Sequence, residues 1–355
     1  MVAVYIANTQ LITAAGPSSY ANFCMHRAGV NTYQSANYHT PDHYQVVLSL
    51  VPEAVFPPLA DALEDGPLSG RDERLIQLAA VGAQQLFNGY SGEPVPLIMA
   101  GPQNYPGFIN QLPNHFFKYL AMQASLPIEY PTSRVICTGR TGMLEAIRLA
   151  RHYLASAPYP YVLVGGVGSP RHTDWLHLLD RDDRLKSERG TRTGDSFVPG
   201  EGTSYLLLTA NPELAQNYKG YRIRLTEPGF GEEPGHLYSD QPYLGQGLDG
   251  AVKQALAGLP DAYSIDAVYS SMNGENFWAK EFGVAMTRSS HRLKEHKHEH
   301  PADCYGDLGA AAGGALIALA AHYATERQPK NCLITTSADT EHRAAICVIP
   351  ERISA

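Results

Sequence analysis

Gly142-Met143-Leu144-Glu145-Ala146-Ile147-Arg148-Leu149-Ala150-Arg151-His152-Tyr153-Leu154-Ala155-Ser156, then Ala157-Pro158-Tyr159-Pro160, then Tyr161-Val162-Leu163-Val164-Gly165-Gly166, is the stretch that decides the fold. Met143, Leu144, Ile147, Leu149, Ala150 and Leu154 recur at helical spacing and make one apolar face. The two prolines break that helix, and the short apolar run after them reads as a strand buried on both faces. A second block of the same kind lies downstream. A helix from about Gly309 to Thr325 leads through Gln328-Pro329 to the strand Cys332-Leu333-Ile334-Thr335. Set about 170 positions apart, the two blocks align: Ile147 falls on Ile317, Ala150 on Ala320, His152-Tyr153 on His322-Tyr323, and Val162 on Cys332. A spacing this long is no solenoid period. It predicts two similar α/β halves fused in one chain, residues 1–208 and 209–355, forming one structural unit.

Bulk composition bounds what such a chain does. Its 355 residues are 44% hydrophobic, enough for a large buried core. The formal charge of −8 argues against a nucleic-acid binder. No run of eighteen or more apolar residues predicts a membrane span. The opening Met1-Val2-Ala3-Val4-Tyr5-Ile6 reads as a first strand rather than a secretory leader. Cysteines 24, 137, 304, 332 and 347 are five in number and irregularly spaced, which suits reduced thiols and a cytoplasmic setting. Residues 64–72 read as a polar loop before a helix near Asp72, residues 180–200 as a charged surface loop, and residues 227–248 as a long excursion.

The order of signals resembles the β-ketoacyl synthase branch of the thiolase superfamily. Val4 to Thr13 with Gly16 resembles that family's first strand and turn; Arg27-Ala28-Gly29-Val30 fits the next helix end. Asp72-Glu73-Arg74-Leu75 with Ala79-Ala80, and Leu97-Ile98-Met99-Ala100-Gly101, resemble the helix and strand of the first half. Ala146-Ile147 with Val162-Leu163-Val164-Gly165-Gly166 resembles the nucleophile helix and the strand after it. Asp195 to Gly202, followed by Tyr205-Leu206-Leu207-Leu208, is similar to the Gly-Glu-Gly turn. Tyr305-Gly306-Asp307-Leu308 looks like the segment of the second active-site histidine. The resemblance implies a thiolase-like fold, α/β, of two pseudo-symmetric halves in a five-layer αβαβα arrangement. It also implies pairing through the thiolase-type interface.

The family's chemistry uses a cysteine at a helix N-terminus, where the helix dipole favours the thiolate, and two histidines. Here each matching position carries another residue. Counting six back from Ala146 lands on Arg140, Ser271 stands where the first histidine is expected, and Asp307 stands where the second is. Ser337 to Arg343 replaces the glycine-rich gate. Arginine stays protonated in proteins and is no nucleophile. A cation at a helix N-terminus also calls for a nearby anion, so Arg140 is expected to pair with Asp307 or Glu275. The resemblance thus implies no catalytic residues and no cofactor.

Two alternatives keep chemistry in view. Cys137 would serve as a displaced nucleophile if the helix start were rebuilt, with His298 or His300 as base, making the chain an acyltransferase or a β-ketoacyl-carrier-protein synthase-like enzyme, and acyl transfer or hydrolysis through Ser271 is the variant; a buried strand-end cysteine is the plainer reading. His296, His298 and His300 would share one face of an extended strand and suit zinc, beside His291 and Cys304, although a charged run of this kind is ordinarily a solvated surface. His152 and His322 are expected to cap or pack their helices. Trp175 and Trp278 read as core residues or, less simply, as a contact surface. Arg171, Arg181, Arg184, Lys186, Arg189 and Arg192 offer a basic patch for an acidic carrier protein. Function then falls to a protein partner: a chain-length-factor-like subunit beside an active ketosynthase, or an accessory protein of a bacterial toxin-delivery (type VI secretion) operon loading a secreted effector.

Overall fold

A computed structural model describes residues 2–64, 66–188, 194–260, 263–293 and 296–353; Met1, Arg189 and Arg192, named above, and residue 65 of the 64–72 segment lie outside the described residues. The first half comprises β1 (Val4–Thr13), α1 (Ser19–Arg27), β2 (Gln34–His39), β3 (Gln45–Leu48), α2 (Asp61–Glu64), α3 (Gly70–Leu86), β4 (Leu97–Ala100), α4 (Phe116–Gln123), β5 (Arg134–Ile136), α5 (Gly142–Ser156), β6 (Val162–Gly168), α6 (Thr173–Arg181) and β7 (Gly202–Thr209). The second comprises β8 (Tyr221–Leu225), β9 (Gly229–Glu232), α7 (Gln246–Ala257), β10 (Ala267–Ser270), α8 (Asn276–Arg288), β11 (Lys297–Glu299), α9 (Ala302–Tyr305), α10 (Ala312–Ala324), β12 (Cys332–Ser337) and β13 (His342–Arg352).

Each half repeats one strand pattern. In the first, β1-β7-β6-β4-β5 lie side by side; in the second, β8-β13-β12-β10-β11 do. β6, β4 and β5 run parallel and β7 antiparallel to β6, just as β12, β10 and β11 run parallel and β13 antiparallel to β12. The halves join where Val4 and Tyr5 of β1 pair with Leu225 and Arg224 of β8. The 170-residue register holds in three dimensions. A 3-10 turn, Gly139–Thr141, opens α5, and its counterpart Gly309–Ala311 opens α10.

Side-chain alternation along the strands builds three cores. On β4, Ile98 and Ala100 face the central core with α5 and α10, while Leu97 and Met99 face α3 and α4. On β12, Cys332 and Ile334 face the central core and Leu333 faces α7 and α8. The layers are therefore α3 and α4, a sheet, α5 and α10, a sheet, α7 and α8. α5 has an apolar face, whereas α10 is buried nearly all round. A helix wedged between two sheets has no solvated side, which explains its run of alanine, leucine and isoleucine.

Residues 180–188 and 194–200 are not the solvated loop expected from the charge of the 180–200 segment, whose remaining residues lie outside the described ones. A satellite core of Ala36, Val46, Leu48, Leu176, Leu179, Leu185 and Phe197 draws them in. Single bridges tie Val46 to Ser187, Ser49 to Gly200 and Pro199 to Asp307. Only three large apolar residues in the segment (Leu185, Phe197, Val198) hold it down, too few for a periodic pattern. Arg184 is buried there, so it belongs to no surface patch. His152 is exposed, while His322 packs against Tyr20, Phe23 and Tyr218. Burial and the nearby Lys219 push the His322 imidazole down to about 4. No helix among the described residues is long and apolar enough to cross a membrane.

Gly139 and Gly309 occupy equivalent left-handed positions, with φ of 60° and 54°. An added Cβ at Gly309 meets nothing, so Gly309→Ala should cost about 1–2 kcal/mol of backbone strain alone. At Gly139 the Cβ would stand 2.6 Å from Gln103 Oε1, which accepts the Asp339 N–H. Gly139→Ala is therefore the more damaging of the pair, and urea unfolding of both variants checks the order.

Candidate functional site

The site grows from the 3-10 turn ahead of α5. Backbone N–H groups at a helix start concentrate positive partial charge, and Arg140 adds a full positive charge to it. The side chain is also buried, at 6% exposure. Such a group persists only with good counter-charges. Asp307 supplies the first. Arg140 Nε donates to Asp307 Oδ1 and Oδ2 at 3.1 and 2.9 Å, and Nη2 donates to Oδ2. On the other fork, Nη1 donates to Asp339 Oδ1 at 2.7 Å and to the Ser337 carbonyl at 3.3 Å.

Arg184, reaching in from the satellite core, shares Asp339. Its Nη1 donates to Asp339 Oδ2 at 3.0 Å and to the Tyr238 hydroxyl at 2.8 Å. Its Nε and Nη2 donate to the two oxygens of Glu275 at 2.7 and 2.9 Å, a bidentate clamp. Asn273 ties the pairs together, its Nδ2 donating to Glu275 Oε2 and Asp307 Oδ2, each at 3.0 Å. Trp278 Nε1 also donates to Glu275 Oε2 at 3.0 Å, and its ring lies 5.1 Å from the Arg140 guanidinium carbon.

Two guanidiniums thus face three carboxylates. The formal excess of one negative charge sits beside helix starts: Glu275 immediately precedes α8, and Asp307 Oδ1 accepts the Gly309 N–H ahead of α10. These oriented amides favour anions there. Asp339 is held well below the ordinary carboxylate range by Arg140 and Arg184, against a burial that pushes the other way. Both arginines are held above their ordinary range by the carboxylates. The cluster contains no thiol and no imidazole. Its members bind and lock one another.

The expected pairing of Arg140 with Asp307 is present; Glu275 pairs instead with Arg184. Ser271 stitches β10 to β12, its N–H donating to the Thr335 carbonyl and its Oγ accepting the Ser337 N–H. Cys137 lies apart, half-buried after β5 in a groove lined by Leu112, His115, Phe116 and Val135. Burial pushes its thiol up, away from the thiolate. Among the described residues no group of three His, Cys, Asp or Glu converges on a metal position. Asp339 and Arg184 are the residues sequence reasoning underused. The signal for Asp339 was an acid inside the replaced gate; for Arg184 there was none beyond its charge.

A narrow cleft of about 50 Å³ opens on the cluster, between Arg140, Asp307 and Asp339 on one side and Gln103, Tyr105 and Trp175 on the other. It offers room for one or two waters. Gln103 Nε2 and Trp175 Nε1 have no hydrogen-bond partner among the described residues.

Removing Arg140 strips both Asp307 and Asp339 of a partner, so Arg140→Ala should cost about 3–5 kcal/mol by chemical denaturation. Asp339 has a depressed value when folded. It therefore stabilises the fold above its ordinary value of about 3.9, and that contribution fades as pH falls below it. Asp339→Asn should lower stability at neutral pH and flatten the decline between pH 4 and pH 2. Iodoacetamide labelling read by mass spectrometry should modify exposed Cys24 first and Cys137 slowly.

No protein-family model matches the chain, and no curated protein sequence matches it. Solved structures do. The ketosynthase from module 6 of the bacillaene synthase from Bacillus subtilis 168 is similar over 99% of this chain and 73% of its own, with a TM-score of 0.75 at 13% identity. The ketosynthase (ApeO) in complex with its chain length factor (ApeC) from Xenorhabdus doucetiae is similar over 99% and 98%, with a TM-score of 0.71 at 15% identity. The ishigamide ketosynthase/chain length factor is similar over 98% and 99%, with a TM-score of 0.73 at 15% identity. The chain has the thiolase-like fold of the ketosynthases.

Proposed function

We propose that this chain is a non-condensing protein of ketosynthase fold that works as a partner subunit, in the manner of a chain length factor beside an active ketosynthase. The observation that carries this reading is Arg140. On the register of the resemblance it occupies the nucleophile's place at the start of α5, and it is tied to Asp307 and Asp339. A guanidinium in two buried ion pairs takes no acyl group, and Asp307 in place of a histidine stabilises no enolate oxygen. On this reading residues 1–208 and 209–355 are halves of one unit with a shared site.

Pairing has support in the sheet. β5 is the terminal strand of the first half, and Arg134 and Val135 on it are exposed, so its edge is open to a further strand. Two similar structures pair a ketosynthase with a chain length factor, which favours the same role here. The partner is a protein, either a second copy or an active synthase. The acyltransferase reading through Cys137 is less favoured, because burial pushes that thiol up and away from the thiolate an acyl transfer needs.

An affinity pull-down of the tagged chain from its own cells, read by mass spectrometry, tests the proposal. A condensing ketosynthase or a carrier protein should be recovered. Recovery of a secreted toxin and its loading proteins would replace the tunnel-shaping role by that of a delivery adaptor. An acyl adduct on Cys137 after incubation with acyl thioesters would overturn the non-catalytic reading altogether.

A further inference from the structure

The histidine run before α9 holds a contact that the ion cluster does not explain. His296 and His298, two residues apart at the outer edge strand β11, bring their Nε2 atoms to 2.6 Å of each other. His296 Nδ1 lies 2.5 Å from the Leu293 carbonyl. A carbonyl only accepts, so Nδ1 carries the hydrogen and His296 Nε2 presents a lone pair. A backbone carbonyl holding the far nitrogen in this way is the arrangement that orients metal-ligating histidines. His298 is steadied by Phe282, whose ring meets it edge-on at 4.7 Å.

We propose that His296 and His298 chelate a divalent transition-metal cation of the copper, nickel or zinc class through their Nε2 atoms, with water completing the coordination. In the metal-free form His298 Nε2–H donates to His296 Nε2. On binding, the His298 hydrogen moves to Nδ1, both Nε2 lone pairs turn to the cation, and the charge balance of the protein is unchanged. With metal–nitrogen bonds of about 2.0–2.1 Å, two ligands at a right angle stand roughly 2.9 Å apart and two tetrahedral ligands roughly 3.3 Å apart. The observed separation needs the smaller opening for the right-angled case, which suits tetragonal copper(II) and nickel(II) over zinc. His300 turns instead to Asp303, with its Nε2 3.5 Å from Oδ2. The cation would pin the turn at Leu293 to the outermost strand of the sheet.

Isothermal titration of the full chain with copper(II), nickel(II) and zinc(II) salts tests this. One equivalent should bind, copper tightest, and electron paramagnetic resonance of the copper form should show two nitrogen donors. His296→Gln and His298→Gln should each lose roughly a hundredfold in affinity, because the second imidazole no longer acts intramolecularly. His300→Gln should bind within about twofold of the parent on the same reasoning. His298 lies on β11 and His296 just before it, neither buried, and circular dichroism checks that the variants fold. Absence of saturable binding, a copper spectrum with one nitrogen donor, or affinity that survives His298→Gln would each overturn the proposal.

Discussion

A positive charge is buried at the positive end of a helix, and much of the site's construction follows from that conflict. Arg140 is desolvated and sits against the opening turn of α5, two circumstances that each oppose its charge. Five segments converge to offset them. They are the turn before α5, the segment after α6, the ends of β10 and β12, and the loop between α9 and α10. A single carboxylate would leave half of the guanidinium fork without partners. Asp339 fills the remaining side, and Arg184 then balances Asp339 while drawing in Glu275. The cluster is a chain of mutual obligations, and Asn273 closes it into a ring.

Pseudo-symmetry sharpens what is unusual about this arrangement. α5 and α10 open with matching glycine turns, yet the residue after the glycine is Arg140 in one and Ala310 in the other. The second half keeps the bare geometry of a helix start, and there the oriented N–H of Gly309 is used by Asp307. One helix start carries the cation and the other receives its partner. The two halves thus differ in charge where they agree in backbone.

Much of this was legible from residues alone, for reasons that differ from one element to the next. The helix-strand blocks at 142–166 and 309–335 were readable because burial on two sides leaves long apolar runs that few other contexts produce. Arg140 and Asp307 were readable because the resemblance marks their places, the first by its distance from Ala146-Ile147 and the second by the glycine before it. Arg184 was hidden by its surroundings: a charged segment with three scattered apolar residues looks solvated, and its burial depends on β2, β3 and α6 meeting it in space. Asp339 stood in view as a changed gate residue, but its role required knowing that two arginines approach from opposite sides. The divergence of His152 and His322 has the same origin. Equal spacing along the chain placed them alike on their helices, and only tertiary packing set one in water and the other among aromatic rings.

The seam between the halves carries a consequence for how the molecule assembles. β1 and β8 meet through two residue pairs only, and the ion cluster draws on segments up to about two hundred residues apart. Contacts of such separation carry a large loop-closure cost, so local hairpins and helices within each half can form before them. The cluster joins residues of both halves, so it can close only as a latch on halves already docked. A latch made late in folding slows the way out more than it speeds the way in. Such a latch is a source of kinetic lifetime for the assembled fold.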